Sequence, residues 1–349
     1  MKEKLVFFSV KHPLSLILIV AVILRILAII FTGGDDPYGA EMGTNCFNYY
    51  HIPESWLANP WIVYISRALI GTFSLLIITI SYRITKIIAD KTTALEIGLL
   101  LSCLWAAPYL CVHPKPYVMC LPFLLYGTLL IIKQDNLLKN DEIEKFHRTT
   151  FLIAGFCLGL GFAVCHLSLV YYIGILITMF ILKNWKGALM TLIGYIVAVG
   201  LTQTIIDLII YHRPFVEMTA LFGYISDYYS FEGMMLYINA IMAFGVILLM
   251  LVVPLSLLLF FGYIRVCKKY LLLFIPTAVV LIYSIFSGMY TTDAILTIIP
   301  TYLIAGYVGW KEFYKNSAFW TKNKWLVWTC YVLFALINTI LLVISYITF

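Results

Sequence analysis

The amino-acid sequence predicts an all-α membrane protein of many crossings, and three observations carry that prediction. Of the 349 residues, 63% are hydrophobic and only 11% are charged, against roughly a quarter charged in soluble domains. The hydrophobic residues fall into runs of roughly twenty, the length a helix needs to cross the hydrocarbon core. The basic residues gather between those runs, on alternate connections. A water-soluble single domain is excluded, because so few charged side chains cannot coat a particle of this size. The net charge of +6 therefore reads as a topology signal and not as a nucleic-acid footprint.

The first expected crossing is 13–32, preceded by Lys2, Lys4 and Lys11. It resembles a signal peptide in outline, but its apolar run is too long and Thr32-Gly33-Gly34-Asp35 is a poor cleavage site, so it is expected to persist as a span. Residues 33–60 form the first outer loop. Further crossings are expected at 61–85, 94–111, 116–132, 150–166, 168–182, 188–211, 235–264, 270–287, 294–309 and 325–347. The total is about eleven, within a range of about nine to twelve, because 150–182 reads equally as a hairpin or a re-entrant pair. Segments 133–149 and 311–324 are expected cytoplasmic loops, and 213–234 an outer loop rich in aromatic residues. No polar interruption is long enough for a separate domain, so 1–349 reads as a single transmembrane domain.

Positive charge is retained in short cytoplasmic loops. With the N-terminus cytoplasmic, all but four of the 23 lysines and arginines fall on that side. The exceptions are Arg25 and Arg67 within spans, and Lys115 and Arg213 on the outer face. The outer loops carry acid instead: Asp35, Asp36, Glu41 and Glu54 in the first, and Glu217, Asp227, Glu232 and Asp293 later. Six of the eight cysteines lie in apolar runs, which suggests neither a disulfide framework nor a metal knuckle. No nucleotide-binding glycine loop, zinc-protease helix or nucleophile elbow is present.

The strongest chemical feature is Gly33-Gly34-Asp35-Asp36-Pro37-Tyr38, just beyond the first span, with Glu41 close behind. Two adjacent carboxylates there are either a solvated turn or a site. As a site, one is a general base and the other binds a divalent cation such as Mg or Mn, with Asp36 the metal ligand, or orients the base. Arg25 is costly at mid-bilayer depth and demands a partner, from backbone, from an acid or across a cavity. The short turn Val112-His113-Pro114-Lys115-Pro116-Tyr117 holds a lysine on the acidic side, where it either touches headgroups or meets a lipid phosphate. His212 and Arg213, where a span emerges, offer donors for a phosphate, or Arg213 pairs with Asp207 or Glu217. The aromatic residues of 213–234 suit an interfacial belt as well as a sugar-stacking surface, and His166 either lines an outer cavity or caps a hairpin.

In this order the features resemble the C-type integral membrane glycosyltransferases, the superfamily of protein O-mannosyltransferases, lipid A aminoarabinose transferases and the dolichol- and GPI-pathway mannosyltransferases. Arg25 and Asp35-Asp36 are similar to the family's first-helix arginine and first-loop acidic pair, and Ser66-Arg67-Ala68-Leu69 to the start of its second helix. Gly155-Phe156-Cys157-Leu158-Gly159-Leu160-Gly161-Phe162 resembles its glycine-spaced hairpin helix. Asp207-x3-Tyr211 with the following aromatic loop and Gly233, and Thr297-Ile298-Ile299-Pro300-Thr301-Tyr302, resemble its middle and late helices. The acidic pair departs from the His-Pro-Asp-Glu of the mannosyltransferase branch, and Tyr290 to Asp293 stands where the family often has basic residues.

The resemblance implies an inverting transfer of a mannose-like hexose or a pentose from a polyprenyl-phosphate donor to a glycan, lipid or protein acceptor at the outer face. Asp35 or Asp36 would be the base. Arg213, Lys115, His113, His212, Glu41 and Arg25 would line the substrate and its phosphate. The expected setting is a bacterial cytoplasmic membrane with the site facing outward. Two other classes fit the same sequence: a transporter or flippase for a lipid-linked glycan, and a non-catalytic membrane assembly factor.

Overall fold

A computed structural model describes residues 11–31, 60–113, 115–139, 147–165, 167–216, 233–287 and 295–348. Among them the ordered elements are all helices. In chain order they are α1 (Pro13–Phe31), α2 (Pro60–Ile88), α3 (Lys91–Cys103), α4 (Ala106–Leu110) and α5 (Pro116–Lys139). Then come α6 (Arg148–Val164), α7 (Leu167–Ile181), α8 (Trp185–Tyr211), α9 (Gly233–Leu251) and α10 (Leu255–Arg265). The last four are α11 (Leu271–Ser287), α12 (Ile299–Asn316), α13 (Ala318–Lys322) and α14 (Lys324–Thr348).

Each expected crossing coincides with helix, yet among the described residues only five helices are long and apolar enough to cross a membrane: α1, α2, α5, α8 and α14. A sixth is added if α9 and α10 count as one bent span, while α6, α7 and α11 are apolar but shorter. The chain is thus an α-helical membrane protein with five or six candidate spans by length and composition.

Two expected crossings are broken. The 235–264 run is two helices, with α10 turned 112° from α9; Pro254 lacks the N–H that would continue the ladder, and its ring clashes with the preceding turn. The 94–111 run stops at Cys103 and resumes at Ala106, with Leu104 extended between them. Pro108 gives the reason, since it can neither donate to the Leu104 carbonyl nor pack beside it.

Each break leaves backbone groups that lipid cannot satisfy. Asn338 of α14 closes the first: its Nδ2 donates to the Cys103 carbonyl at 2.8 Å, and its Oδ1 accepts from the Trp105 N–H at 2.9 Å. The Trp105 indole N–H then donates to the Leu249 carbonyl at 3.1 Å, at the end of α9. The two breaks therefore face each other and share one set of hydrogen bonds.

Elsewhere close approach of backbones replaces the hydrophobic effect, which is weak between helices in lipid. Gly155 and Gly159 of α6 lie against Thr191 and Tyr195 of α8, and Gly194 lies against Leu152. This register makes α6 and α8 parallel, with α7 as the returning helix. A Cβ at Gly155 would strike the Thr191 carbonyl. Gly262 of α10 meets Gly306 and Gly309 of α12 in the same manner.

The contacts give the bundle two distinct ends. At one, Tyr270 donates its hydroxyl to the Ile88 carbonyl at 3.1 Å, joining α11 to α2. There Lys269 pairs with Glu312 at 3.0 Å, and Lys311 of α12 bonds to Glu96 and Thr93 of α3. Asp90 caps α3 by accepting from the Thr93 N–H at 2.8 Å and the Thr92 hydroxyl at 2.7 Å; those bonds hold its carboxyl below the usual carboxylate range. This end is basic. At the other, Ile29 and Arg25 of α1 pack with Val112 at Gly71 of α2.

Replacing Asn338 with Leu strands the Cys103 carbonyl and the Trp105 N–H together. At 1–3 kcal/mol for each buried group, the expected loss is about 3 kcal/mol of stability, read as a lowered thermal midpoint in detergent. A midpoint equal to that of the unmodified chain would show that the break does not depend on Asn338.

Candidate functional site

Arg25 sits in the middle of an apolar helix and is 3% exposed. Its charge is accommodated by neutral acceptors. Nε donates to Ser74 Oγ at 2.8 Å and Nη1 to the Ala21 carbonyl at 3.3 Å, while Ser74 donates onward to the Gly71 carbonyl at 2.7 Å. The Cys111 thiol is a further partner. Among the described residues no carboxylate meets the guanidinium, so the acid considered from sequence is replaced by a hydroxyl, a carbonyl and a thiol.

Beside Arg25 lies a cavity of about 20 Å³, enough for about one water. Its lining draws together distant parts of the chain: Ile78 of α2, Leu104 and Ala106 at the α3–α4 break, Met250 at the end of α9, and Ile299 and Pro300 at the start of α12. Pro300 suits the first turn of α12, where its missing N–H has no partner to lose. Next to it Thr301 and Thr277 share a 2.8 Å hydrogen bond that ties α12 to α11.

Just past Cys111 the chain turns through His113 into α5. His113 is buried, with Nδ1 hydrogen-bonded to the Tyr109 carbonyl at 3.0 Å and its ring 4.7 Å from that of Tyr109. Lys115 is half-buried, and its N–H donates to the His113 carbonyl at 2.8 Å. Because Val112 packs at Gly71 beside Arg25, Arg25, His113 and Lys115 belong to one corner of the bundle, the corner at which α1 ends.

His212 and Arg213 are at the end of α8. His212 adopts left-handed backbone, φ 57°, as the residue that stops the helix, and both side chains are exposed. Asp207 is fully buried earlier on α8, one turn beyond Gln203. Gln203 is also fully buried, and its amide has no hydrogen-bond partner among the described residues. Arg67, near the start of α2, is buried to the same degree as Arg25.

Several expected site residues lie outside the described residues: Asp35, Asp36, Glu41, His166, Asp293 and the 217–232 part of 213–234. Asp36 as a ligand for Mg or Mn is among them. Among the described residues no three His, Cys, Asp or Glu side chains come together as a metal site. The structure also adds residues that sequence reading passed over. Asn338, Trp105 and Ser74 hold the site's framework, and the signal for Asn338 was present as an amide inside a long apolar helix.

Ser74 and Arg25 form a testable unit. Ser74→Ala leaves a buried guanidinium N–H without its acceptor, with an expected loss of about 2 kcal/mol. In an Arg25→Leu background the same change should cost close to nothing, and thermal unfolding of the four-membered mutant cycle reads the difference. Equal costs in both backgrounds would mean that the pair is not coupled.

No family model matches the chain, and no curated protein or solved structure is found to be similar to it.

Proposed function

We propose that the chain is an inverting membrane glycosyltransferase that moves a sugar from a polyprenyl-phosphate donor to a hydroxyl of a glycan, lipid or protein acceptor. One observation carries the reading. Arg25 and the Ile299-Pro300 turn, far apart in sequence and both singled out by the family resemblance, line one cavity together with the two helix breaks. Beside that cavity is the corner that bears His113 and Lys115 and from which α1 runs on toward Asp35-Asp36.

In this reading the chain crosses the membrane about eleven times. The broken α3–α4 and α9–α10 pairs each serve as one crossing, and the shorter apolar helices are held in place by their neighbours. The basic end and the N-terminus face the cytoplasm, as positive-inside retention requires. The corner with Lys115 then opens on the outer face, where the phosphate of a polyprenyl donor sits at the membrane surface.

Asp35 or Asp36 takes the proton from the acceptor hydroxyl as its oxygen bonds to the anomeric carbon. The bond from that carbon to the phosphate oxygen breaks on the opposite face, which inverts the centre. The leaving group is already an anion, so it needs cations and not an acid. Lys115 and Arg213 supply charge and His212 a further donor, while His113, its Nδ1–H given to the Tyr109 carbonyl, sets the turn that presents Lys115. Two of the Arg25 donors go to Ser74 and the Ala21 carbonyl, so part of its role is to hold α1 against α2. No step is routed through a metal.

The test is transfer of labelled sugar from membrane polyprenyl-phosphate donors to endogenous acceptors, with Asp35→Asn and Asp36→Asn compared at matched expression. Loss of the base should lower transfer by about 10² to 10⁴-fold in at least one variant. Undiminished transfer in both would remove the acidic pair from the chemistry and favour a flippase or an assembly role.

A further inference from the structure

A second cavity, of about 300 Å³, opens at the basic end, far from the corner that carries Lys115. It lies where α2, α5 and α7 finish and α11 starts. Its walls are apolar, formed by Ile88, Ile132, Leu182 and the first residues of α11, while Lys268, Lys269, Asp135 and Tyr270 supply its polar lining. Lys269 is bridged to Glu312 and lies 5.3 Å from the centre of the Tyr270 ring. Lys268 is exposed and forms no ion pair among the described residues. Three more exposed lysines, Lys86, Lys133 and Lys183, each adjoin a lining residue in the chain. Two lysines thus line an opening that holds one carboxylate, with three more close by in the chain, and none of this is used by the transfer chemistry.

We propose that this cavity binds the phosphate-bearing headgroup of an anionic phospholipid from the leaflet at the basic end. Charge selects the headgroup, since basic clusters at the ends of membrane helices attract anionic lipid. Size agrees: the volume is that of about ten waters, on the order of a phosphoglycerol head and well beyond a bare phosphate. The walls account for the rest, because apolar side chains suit the glycerol backbone and first methylenes but offer nothing to free phosphate. The acyl chains have a path outward, for Ile181 at the end of α7 and Ile264 before Lys268 present exposed apolar surface. A lipid held here would join the ends of four helices, and the inference does not depend on the transferase reading.

The test uses the full chain purified in detergent, with phosphatidylglycerol titrated and bound lipid counted by native mass spectrometry. Unmodified protein should bind it saturably. Lys268→Gln, at an exposed position, should keep the thermal midpoint and raise half-saturation about fivefold, as expected for one interfacial lysine. Leu182→Trp, which adds bulk at a lining position, should abolish binding. Diacylglycerol with the same chains should not compete, and neither should inorganic phosphate. Unchanged binding in both variants, or equal binding of diacylglycerol, would overturn the proposal. Displacement by inorganic phosphate would also overturn it, by making the site one for a soluble anion.

Discussion

The structure depends on how it satisfies the backbone where two apolar runs of the chain break. In water a broken helix end is hydrated at little cost; in lipid each orphaned carbonyl or N–H must find a partner inside the protein. Asn338 gives one carboxamide to both sides of the α3–α4 break, and Trp105 carries the connection to the end of α9. The helices flanking the two breaks are fixed relative to one another by directional bonds, where smooth helices in lipid would have only packing.

The remaining geometry follows from that arrangement. With α4 held against α9 and α14, Leu104, Ala106 and Met250 stand where Ile299 and Pro300 of α12 complete a small cavity beside Arg25. The cavity is apolar apart from the guanidinium. Arg25 is stable there because Ser74 and the Ala21 carbonyl accept its protons, which turns a costly charge into a link between α1 and α2. Tyr346 adds a second link, donating its hydroxyl to the Leu24 carbonyl at 2.9 Å so that α14 also grips α1. The glycine contacts of α6 with α8 and of α10 with α12 serve the same end by another means, bringing backbones together where no side chain fits.

Much of this was legible in the sequence. Hydropathy located the helices, because lipid demands long apolar runs, and the lysines gathered in alternate connections foreshadowed a basic end of the bundle. The need for a partner at Arg25 was also readable, but not the partner, since nothing local marks Ser74 as its acceptor. The breaks were missed for a similar reason. A twenty-residue average of hydropathy does not change when Pro108 or Pro254 interrupts the ladder, so 94–111 and 235–264 read as continuous. Asn338 marked the place from a distant helix, and only the fold shows what it serves. The glycines of α6 were noticed as a spaced set, yet their partner, α8, is the helix after next.

The bundle that results has two chemically different ends. One gathers lysines, the Lys269–Glu312 and Lys311–Glu96 pairs and the larger cavity; the other gathers the Arg25 framework, His113 and Lys115. The functional reading requires those ends to face opposite sides of the membrane. Single cysteines placed at Lys115 and at Lys315, with the eight native cysteines replaced by serine or alanine, test this with a membrane-impermeant maleimide on intact cells. Lys115→Cys should label at once and Lys315→Cys only after permeabilisation. Labelling of both from outside, or of Lys315→Cys alone, would contradict the two-ended arrangement and the site built on it.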